Sequence, residues 1–289
     1  MNARQAQISI HTAAILFGLT GIFGELIQAS AILITAGRAL FATVALALFI
    51  RHQGHKFTRP SRTLAGVLAA AGLLLAVHWI TFFIGVKVGG IAIATLGFAS
   101  FPAFIALLEG FLFKERTSAG EWLVVALVTI GLVLVTPSFD FRDQATLGLA
   151  WAVLSGLAFA LFTLANRKAA GSLPAREVAC WENLAVTLLT LPWCLTAFAG
   201  LRALDWLWLF ILGVFCTALS HALLVSSLSR LKARTAGLVI ALEPIYAILF
   251  AALLFAQYPS ARALLGGAIM IGAIVWSGTR NRDGDAASG

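Results

Sequence analysis

The residues with the clearest chemical potential in this 289-residue chain are a glutamate and two histidines inside long apolar stretches: Glu243, His78 and His221. A charge in such a setting costs several kcal/mol unless it is paired, hydrated or protonated. Glu243 is therefore a candidate proton carrier or partner for a substrate ammonium. The alternative is a neutral acid that hydrogen-bonds a neighbouring helix. The histidines can titrate or donate to a carboxylate, or only satisfy a neighbouring helix.

Two prolines, Pro102 and Pro244, interrupt apolar stretches at corresponding places in the two halves of the chain. Proline removes a backbone donor and disrupts the preceding helical turn, so the freed polar groups need protein, water or ligand partners. Two such helix breaks predict a binding cavity at the membrane midplane between two repeats. The half-helix that follows each proline has a partially positive N-terminus, which is suited to a substrate carboxylate.

Other ionisable residues inside the apolar stretches are predicted to form ion pairs. Arg38 is expected to be neutralised by Glu25, and Glu182 is expected near Arg176 on the cytoplasmic side. Gating through these pairs is a possible further role. Glu109 is expected to meet Lys114 or Arg116 at the end of its helix.

Enzyme chemistry finds no support in the sequence. Ser220 adjoins His221, but neighbouring helix positions point about 100° apart, and no third member, G-x-S-x-G elbow or metal motif accompanies them. The three cysteines show neither zinc-site nor disulfide spacing. We therefore predict no enzymatic activity, no cofactor and no metal.

The composition is that of an integral membrane protein: 61% of residues are apolar, 11% are charged and the mean hydropathy is +0.97. Since a spanning helix needs about 20 apolar residues, we predict an all-α protein with ten transmembrane helices and no soluble domain. The predicted spans are 10–28, 31–50, 64–84, 91–113, 119–136, 147–166, 178–198, 206–228, 235–256 and 261–279.

The net charge of +8 is explained by membrane topology, because most basic residues fall in segments predicted to lie on one side of the membrane. Fifteen of the 20 basic residues fall in segments that are inside when both termini are inside, four fall outside, and Arg38 lies within a helix. This bias predicts cytoplasmic N- and C-termini in a bacterial inner membrane. The expected partners are a small molecule and the lipid bilayer, with no nucleic acid. The oligomeric state is open, and a monomer is compatible with the sequence.

The two halves align with each other. PAFIALLEGFLF after Phe101 matches PIYAILFAALLF after Glu243, His78 falls over His221, and LFGLTGIFGELI matches VLSGLAFALFTL. Five helices in each half would make the repeats antiparallel in the membrane. We predict a first repeat at 1–136, a second, inverted repeat at 147–279 and a cytoplasmic tail at 280–289.

The chain resembles the drug/metabolite transporter superfamily, in particular its ten-helix EamA-type exporters. The similarity lies in the five-plus-five pattern and in GLTGIFGELI, ILITAGRALFA with Arg38, LEP at 242–244 and FKERTSAGEWLVVALVTIGLVLV. Within the superfamily it looks most like the aromatic amino-acid exporters of the YddG type. The resemblance implies a basket-like bundle in which helices one, three, four, six, eight and nine line a central cavity.

Deep aromatic side chains on those helices are expected to wall the cavity beside His78, His221 and Glu243, although packing alone is the alternative for each. They are Trp79, Phe82, Phe98, Phe101, Phe159, Phe162 and Tyr246. Together they favour a flat apolar solute. The few fixed charges argue against sugar phosphates.

The sequence thus predicts a carrier that exports amino acids, with aromatic ones favoured, or related amphipathic metabolites by alternating access. One alternative is proton-coupled multidrug or organic-cation efflux, with Glu243 as the counter-ion. An alternative of a different class is a membrane channel or scaffold. The sequence contains no ring of charges or carbonyl-filter motif that would support a pore.

Overall fold

A computed structural model describes residues 2–113, 118–169, 172–227, 230–231, 236 and 239–286, and in these ranges the chain is helical without a β-strand. Short 3-10 segments occupy Leu191–Trp193 and Thr196–Gly200, and a π-helical segment occupies Val214–Leu219. The α-helices are α1 (Ala3–Leu26), α2 (Ala31–His52), α3 (Arg62–Gly89), α4 (Ile91–Phe98), α5 (Phe101–Phe113), α6 (Ala119–Val135), α7 (Gln144–Ala169), α8 (Ala175–Thr190), α9 (Ala203–Gly213), α10 (Ser220–Ser227), α11 (Glu243–Phe255) and α12 (Ala261–Ala286).

Six helical segments of the described chain are long and apolar enough to cross a membrane. They are Arg4–Leu26, Ala31–His52, Arg62–Gly89, Ile91–Leu112, Gln144–Arg167 and Ala203–Ser227, and three shorter apolar helices are Ala119–Val135, Glu243–Phe255 and Ala261–Ser277. Since a helix satisfies its own backbone hydrogen bonds, this all-helical arrangement suits a bilayer. The protein is a multi-pass membrane protein.

The predicted spans 178–198 and 235–256 differ from the helices observed. The stretch 178–198 does not continue as one α-helix, because α8 ends at Thr190 and Pro192 stands in the 3-10 turn that follows. Proline cannot donate the hydrogen bond that a further helical turn requires. In the stretch 235–256, a turn at 241–242 precedes α11. Residues 235 and 237–238 of this stretch lie outside the residues that the structure describes.

Polar caps set the starts of several helices. The side chains of Ser30, Ser61 and Ser118 accept hydrogen bonds from the backbone three residues later, and Asn2 and Gln5 cap each other reciprocally at α1. Each cap satisfies an otherwise unpaired backbone donor. The caps extend α1 and α3 beyond the apolar stretches from which they were predicted.

At each end of the bundle, a connecting segment forms a hydrogen bond with a helix that is distant in sequence. One end carries Arg51, Arg62 and Arg176, and we call it the basic end. There Glu177 Oε2 accepts from Thr58 N at 2.9 Å. At the opposite end Gln28 N donates to Asp205 Oδ1 at 2.9 Å. These contacts place the connection after α2 beside the start of α8 and the connection after α1 beside the start of α9.

The observed partner of Glu109 also lies at the basic end and differs from those predicted. Its carboxylate pairs with Arg167 at 3.1 Å. The predicted partners, Lys114 and Arg116, lie outside the described residues.

Small residues allow α3 to lie close to both α7 and α8. A Cβ atom added to Gly85 would lie 3.1 Å from the carbonyl oxygen of Gly148, and one added to Gly72 would lie 2.5 Å from Ala185 Cβ. Helix packing inside membranes depends on such close approaches. Because α3 carries His78 and α8 carries Glu182, this contact also fixes how two candidate site residues face each other.

Gly72→Val is expected to destabilise the protein by about 1–3 kcal/mol through overpacking against α8. The added side chain would also approach the Glu182 carbonyl oxygen, 3.1 Å from an ideal Cβ. Thermal unfolding in detergent measures the effect. Gly66→Val is the matched control on the same helix, since a Cβ there meets nothing within 4 Å. Equal melting temperatures for the two variants would contradict the prediction.

Candidate functional site

A cavity of about 170 Å³ lies at the centre of the bundle, between the two helix breaks. It is lined by residues from α1, α2, α3, α4, α7, α8, the π-helical segment, α10 and the start of α11. These residues are Phe17, Thr20, Arg38, Leu75, His78, Trp79, Phe82, Phe98, Phe159, Phe162, Ala179, Glu182, Asn183, Thr217, His221, Leu224, Ile240 and Glu243.

Most of the predicted binding residues lie on this wall: His78, Trp79, Phe82, Phe98, Phe159, Phe162, His221 and Glu243. Two do not. Phe101 stacks on Phe98 with ring centroids 5.2 Å apart and lines a neighbouring cavity. Tyr246 packs on the cluster of Ile10 and Ala236 instead.

The helix breaks occur just before the two prolines. In the first half the helix is interrupted at Ala99 and Ser100, and the Ser100 hydroxyl donates to the Gly97 carbonyl oxygen at 2.7 Å. Pro102 and Pro244 then lie in the first turns of α5 and α11, where a missing N–H costs little. The interruptions place Phe98 and Glu243 beside the cavity.

One side of the cavity is formed by packed rings. The His78 ring lies 4.9 Å from both Phe98 and Phe159, and Phe159 lies 5.7 Å from Phe162, all measured between centroids. These spacings are those of favourable aromatic pairs. The packed rings therefore present a mainly apolar surface suited to a flat group.

Hydrogen bonds to Ser155 of α7 hold His78 in one orientation. Ser155 Oγ donates to the His78 carbonyl oxygen at 3.1 Å and lies 2.7 Å from His78 Nδ1. Nδ1 also lies 3.3 Å from the Ser155 carbonyl oxygen, which can only accept, and this contact favours the tautomer with the ring proton on Nδ1. Nε2 is then left as an acceptor on a ring that lines the cavity.

Arg38 provides a buried positive charge on the other side of the cavity. Only 4% of the residue is exposed, Nε donates to Thr217 Oγ1 at 2.7 Å, and the guanidinium carbon lies 4.0 Å above the Trp79 ring. Thr217 in turn donates to the Leu212 carbonyl oxygen, so its hydroxyl is free to accept from Arg38. Hydrogen bonding and cation–π contact together fix the guanidinium.

The predicted pairing of Arg38 with Glu25 is wrong in this structure. Arg38 contacts Thr217 and Trp79 instead, and the Glu25 backbone oxygen accepts from Lys87 at 3.0 Å near the opposite end of the bundle. Arg38 lies about two helical turns into α2, and its side chain lines the central cavity.

Acceptor oxygens without donors occupy the wall formed by α8. Glu182 is 3% exposed and Asn183 is 5% exposed, and neither Glu182 Oε1 nor Asn183 Oδ1 has a hydrogen-bond partner among the described residues. Buried acceptors are nearly always paired, so these two call for a donor from a ligand or water. Glu182 thus lines the cavity, whereas the sequence placed it near Arg176 at the helix end.

Sequence reasoning missed eight lining residues: Phe17, Thr20, Leu75, Ala179, Asn183, Thr217, Leu224 and Ile240. Threonine and asparagine in apolar helices commonly bond to their own backbone, as Asn183 Nδ2 does to Ala179 O at 2.8 Å, so their type alone indicates no site. One available signal was the polar face of α8, on which Glu182, Asn183 and Thr187 are all buried.

In the described part of the chain, no three metal-ligating side chains form a group that would hold an ion. Ser220 Oγ donates to the Thr217 carbonyl oxygen at 3.1 Å, a bond within its own helix.

The sequence profile of the EamA-like transporter family matches residues 5–136 and again residues 146–279. An uncharacterized transporter of Pseudomonas aeruginosa is 30% identical over 66% of this chain and 64% of its own length. An uncharacterized transporter of Archaeoglobus fulgidus is 24% identical over 94% of this chain and 96% of its own length.

A protein named S-adenosylmethionine uptake transporter, from Rickettsia conorii, is 23% identical over 81% of this chain and 78% of its own length. One solved crystal structure superposes with a TM-score of 0.65 and 18% identity, covering 96% of this chain and 98% of the other. At that identity the likeness concerns the fold alone.

Proposed function

Because this chain belongs to the EamA-like transporter family, and is thus a membrane transporter rather than an enzyme, we propose that it carries amphipathic amino acids through the central cavity. Aromatic amino acids are the favoured substrates, as in the YddG-type exporters. The observation that carries this proposal is the division of the cavity into a wall of rings and a wall of charged and polar groups.

Each part of a zwitterionic amino acid has a matching group on the cavity wall. The Arg38 guanidinium suits the carboxylate, since charge-assisted hydrogen bonds are strong in a dry site. The oxygens of Glu182 and Asn183 that have no hydrogen-bond partner among the described residues suit the ammonium. The rings of Phe98 and Phe159 suit a flat side chain.

The transport cycle we propose is export by alternating access, with two inverted five-helix repeats rocking about the site. The two separate profile matches, residues 5–136 and 146–279, support a repeated architecture. The excess of basic residues at the basic end supports cytoplasmic termini in a bacterial inner membrane.

A second candidate substrate is S-adenosylmethionine, an amino acid that also carries a sulfonium charge and a flat adenine ring. Two acids, Glu182 and Glu243, face one arginine across the cavity, which favours a ligand with an additional positive charge. A neighbouring apolar cavity of about 290 Å³ shares Phe98 and Glu243 and offers room for a larger solute. The name of the Rickettsia relative adds support.

The test is uptake of labelled tryptophan, phenylalanine, S-adenosylmethionine and a quaternary amine into proteoliposomes, with and without a pH gradient. We expect saturable flux of the amino acids, stimulated by substrate on the opposite face. Flux of the quaternary amine alone, dependent on the gradient, would favour drug efflux and contradict the proposal. Flux without such stimulation would indicate a channel.

Glu243→Gln is expected to lower amino-acid flux at least about tenfold, because it removes a carboxylate from the cavity wall at the start of α11. The same proteoliposome assay measures the change. Glu121→Gln is the control, since that acid caps α6 and lies outside the central cavity. Wild-type flux in Glu243→Gln would assign Glu243 a packing role only.

A further inference from the structure

A second cavity, of about 240 Å³, lies between the basic-end parts of α2, α8 and α10. It shares two lining residues, Ala179 and His221, with the central cavity. Its outer part is bounded by Gln53 and Arg176, which lie where α2 ends and α8 begins. The two cavities therefore form a line from the centre of the bundle to the basic end, with His221 between them.

Arg176 is the cation of this second cavity, and its hydrogen bonding is incomplete. Nη1 donates to Gln53 Oε1 at 3.1 Å, whereas Nε is buried and has no partner among the described residues. The nearest acid in sequence, Glu177, points its Oε2 to the backbone N–H of Thr58 at 2.9 Å. The donor fork of the guanidinium thus remains available to a planar anion.

We propose that Arg176 binds the carboxylate of the transported amino acid in this second cavity, as a transit subsite between the central cavity and the basic end. The inference rests on the proposed function for the identity of the anion. Arg38 and Arg176 would then hold the same carboxylate in turn. The side chain of His221 borders both positions.

A membrane lipid is the other source of an anion, because Phe49 on the cavity wall is 43% exposed on the outer surface of α2. The position of this cavity next to the central one, across Ala179 and His221, favours the substrate. A lipid phosphate would need no connection through Ala179 and His221. The polar groups Gln53 and His221, at the two ends of the cavity, also suit a small zwitterion better than an acyl chain.

Thiol labelling tests the subsite without requiring transport. Ala222→Cys places a thiol on the cavity wall, and the native cysteines Cys180, Cys194 and Cys216 are buried, so the wild-type chain is the labelling blank. We expect an anionic sulfonatoethyl methanethiosulfonate to react faster than a cationic trimethylammonioethyl reagent. Adding Arg176→Gln is expected to lower that rate ratio about tenfold, and saturating tryptophan or phenylalanine is expected to slow labelling.

Arg51→Gln is the matched control, because Arg51 is an exposed cation in the last turn of α2 at the same end. An unchanged rate ratio in Arg176→Gln, or an equal change in Arg51→Gln, overturns the inference. Charge selectivity without protection by any amino acid overturns the assignment to substrate. Labelling that anionic lipid slows in the Ala222→Cys protein, but not after Arg176→Gln, would assign the subsite to a lipid headgroup.

The two proposals fail in different ways. Absent amino-acid flux with the Arg176-dependent rate ratio intact faults the proposed function and, with it, the carboxylate as occupant. Intact flux with a ratio that ignores Arg176 faults the transit subsite alone.

Discussion

Arg38→Gln is expected to reduce amino-acid flux about 100-fold, to near background, while the protein remains folded in the membrane. The guanidinium is the cation held at the central cavity by Thr217 and Trp79. Removing one member of a desolvated charge pair costs about 2–5 kcal/mol, since its partner is left unpaired in a dry site. Here the unpaired group would be the substrate carboxylate.

Flux into proteoliposomes, divided by the amount of correctly folded protein, is the measurement. Arg51→Gln, at the exposed end of the same helix, is expected to retain wild-type flux. Arg38→Lys keeps the charge but loses the planar fork over Trp79, so an intermediate loss is expected. Wild-type flux in Arg38→Gln would remove the carboxylate assignment and leave Arg38 as a structural cation.

Asp205→Ala is expected to lower the free energy of unfolding by about 1–3 kcal/mol, because it leaves the Gln28 N–H without its acceptor at the opposite end of the bundle. The other partner, Arg202, is 46% exposed and can be hydrated. Asp205 is 1% exposed. It accepts from Gln28 N at 2.9 Å and from Arg202 Nη2 and Nε at 2.6 and 2.8 Å. The hydrogen bond to this carboxylate raises the pKa of Arg202 above its ordinary value.

The carboxylate of Asp205 therefore ties the segment after α1 to the start of α9. Lys87 reinforces the same closure by donating to the Ile27 carbonyl oxygen at 2.8 Å. Without the carboxylate, the end of α1 loses an anchor, and the central cavity is expected to open toward this side more readily.

Thermal unfolding in detergent measures the stability loss. Labelling of Thr20→Cys by a thiol reagent, added on the side of the membrane away from the basic end, measures the opening. Asp140→Asn, an exposed acid in the connection before α7, is the control and is expected to change neither. An unaltered melting temperature in Asp205→Ala would show that the Arg202 and Gln28 contacts do not stabilise the fold.

The membrane class, most helix positions and the family could be read from sequence. Long apolar runs with few charges leave no other stable arrangement in a bilayer, and the profile matches confirm the EamA resemblance. Glu243 and most of the deep aromatics line the central cavity, and these residues could also be selected from sequence. A glutamate or a Phe cluster near a proline is conspicuous in a chain that is 61% apolar.

The partners of each polar group could not be read from sequence, because they depend on how far each helix shifts and turns in the bundle. Arg38 and Thr217 are 179 residues apart, and His78 and Ser155 are 77 apart, yet each pair forms a hydrogen bond. The rotation of α8 decided that Glu182 faces the cavity. The close approach of α3 at Gly72 helps to fix that rotation.

The sequence alone thus determined a helical membrane bundle with polar residues near two interrupted helices. Only the tertiary structure decided that Arg38, Glu182 and Asn183 face the rings of Phe98 and Phe159 across one cavity. The physical reason is that hydropathy sets which segments enter the bilayer, whereas side-chain packing between helices sets which faces meet.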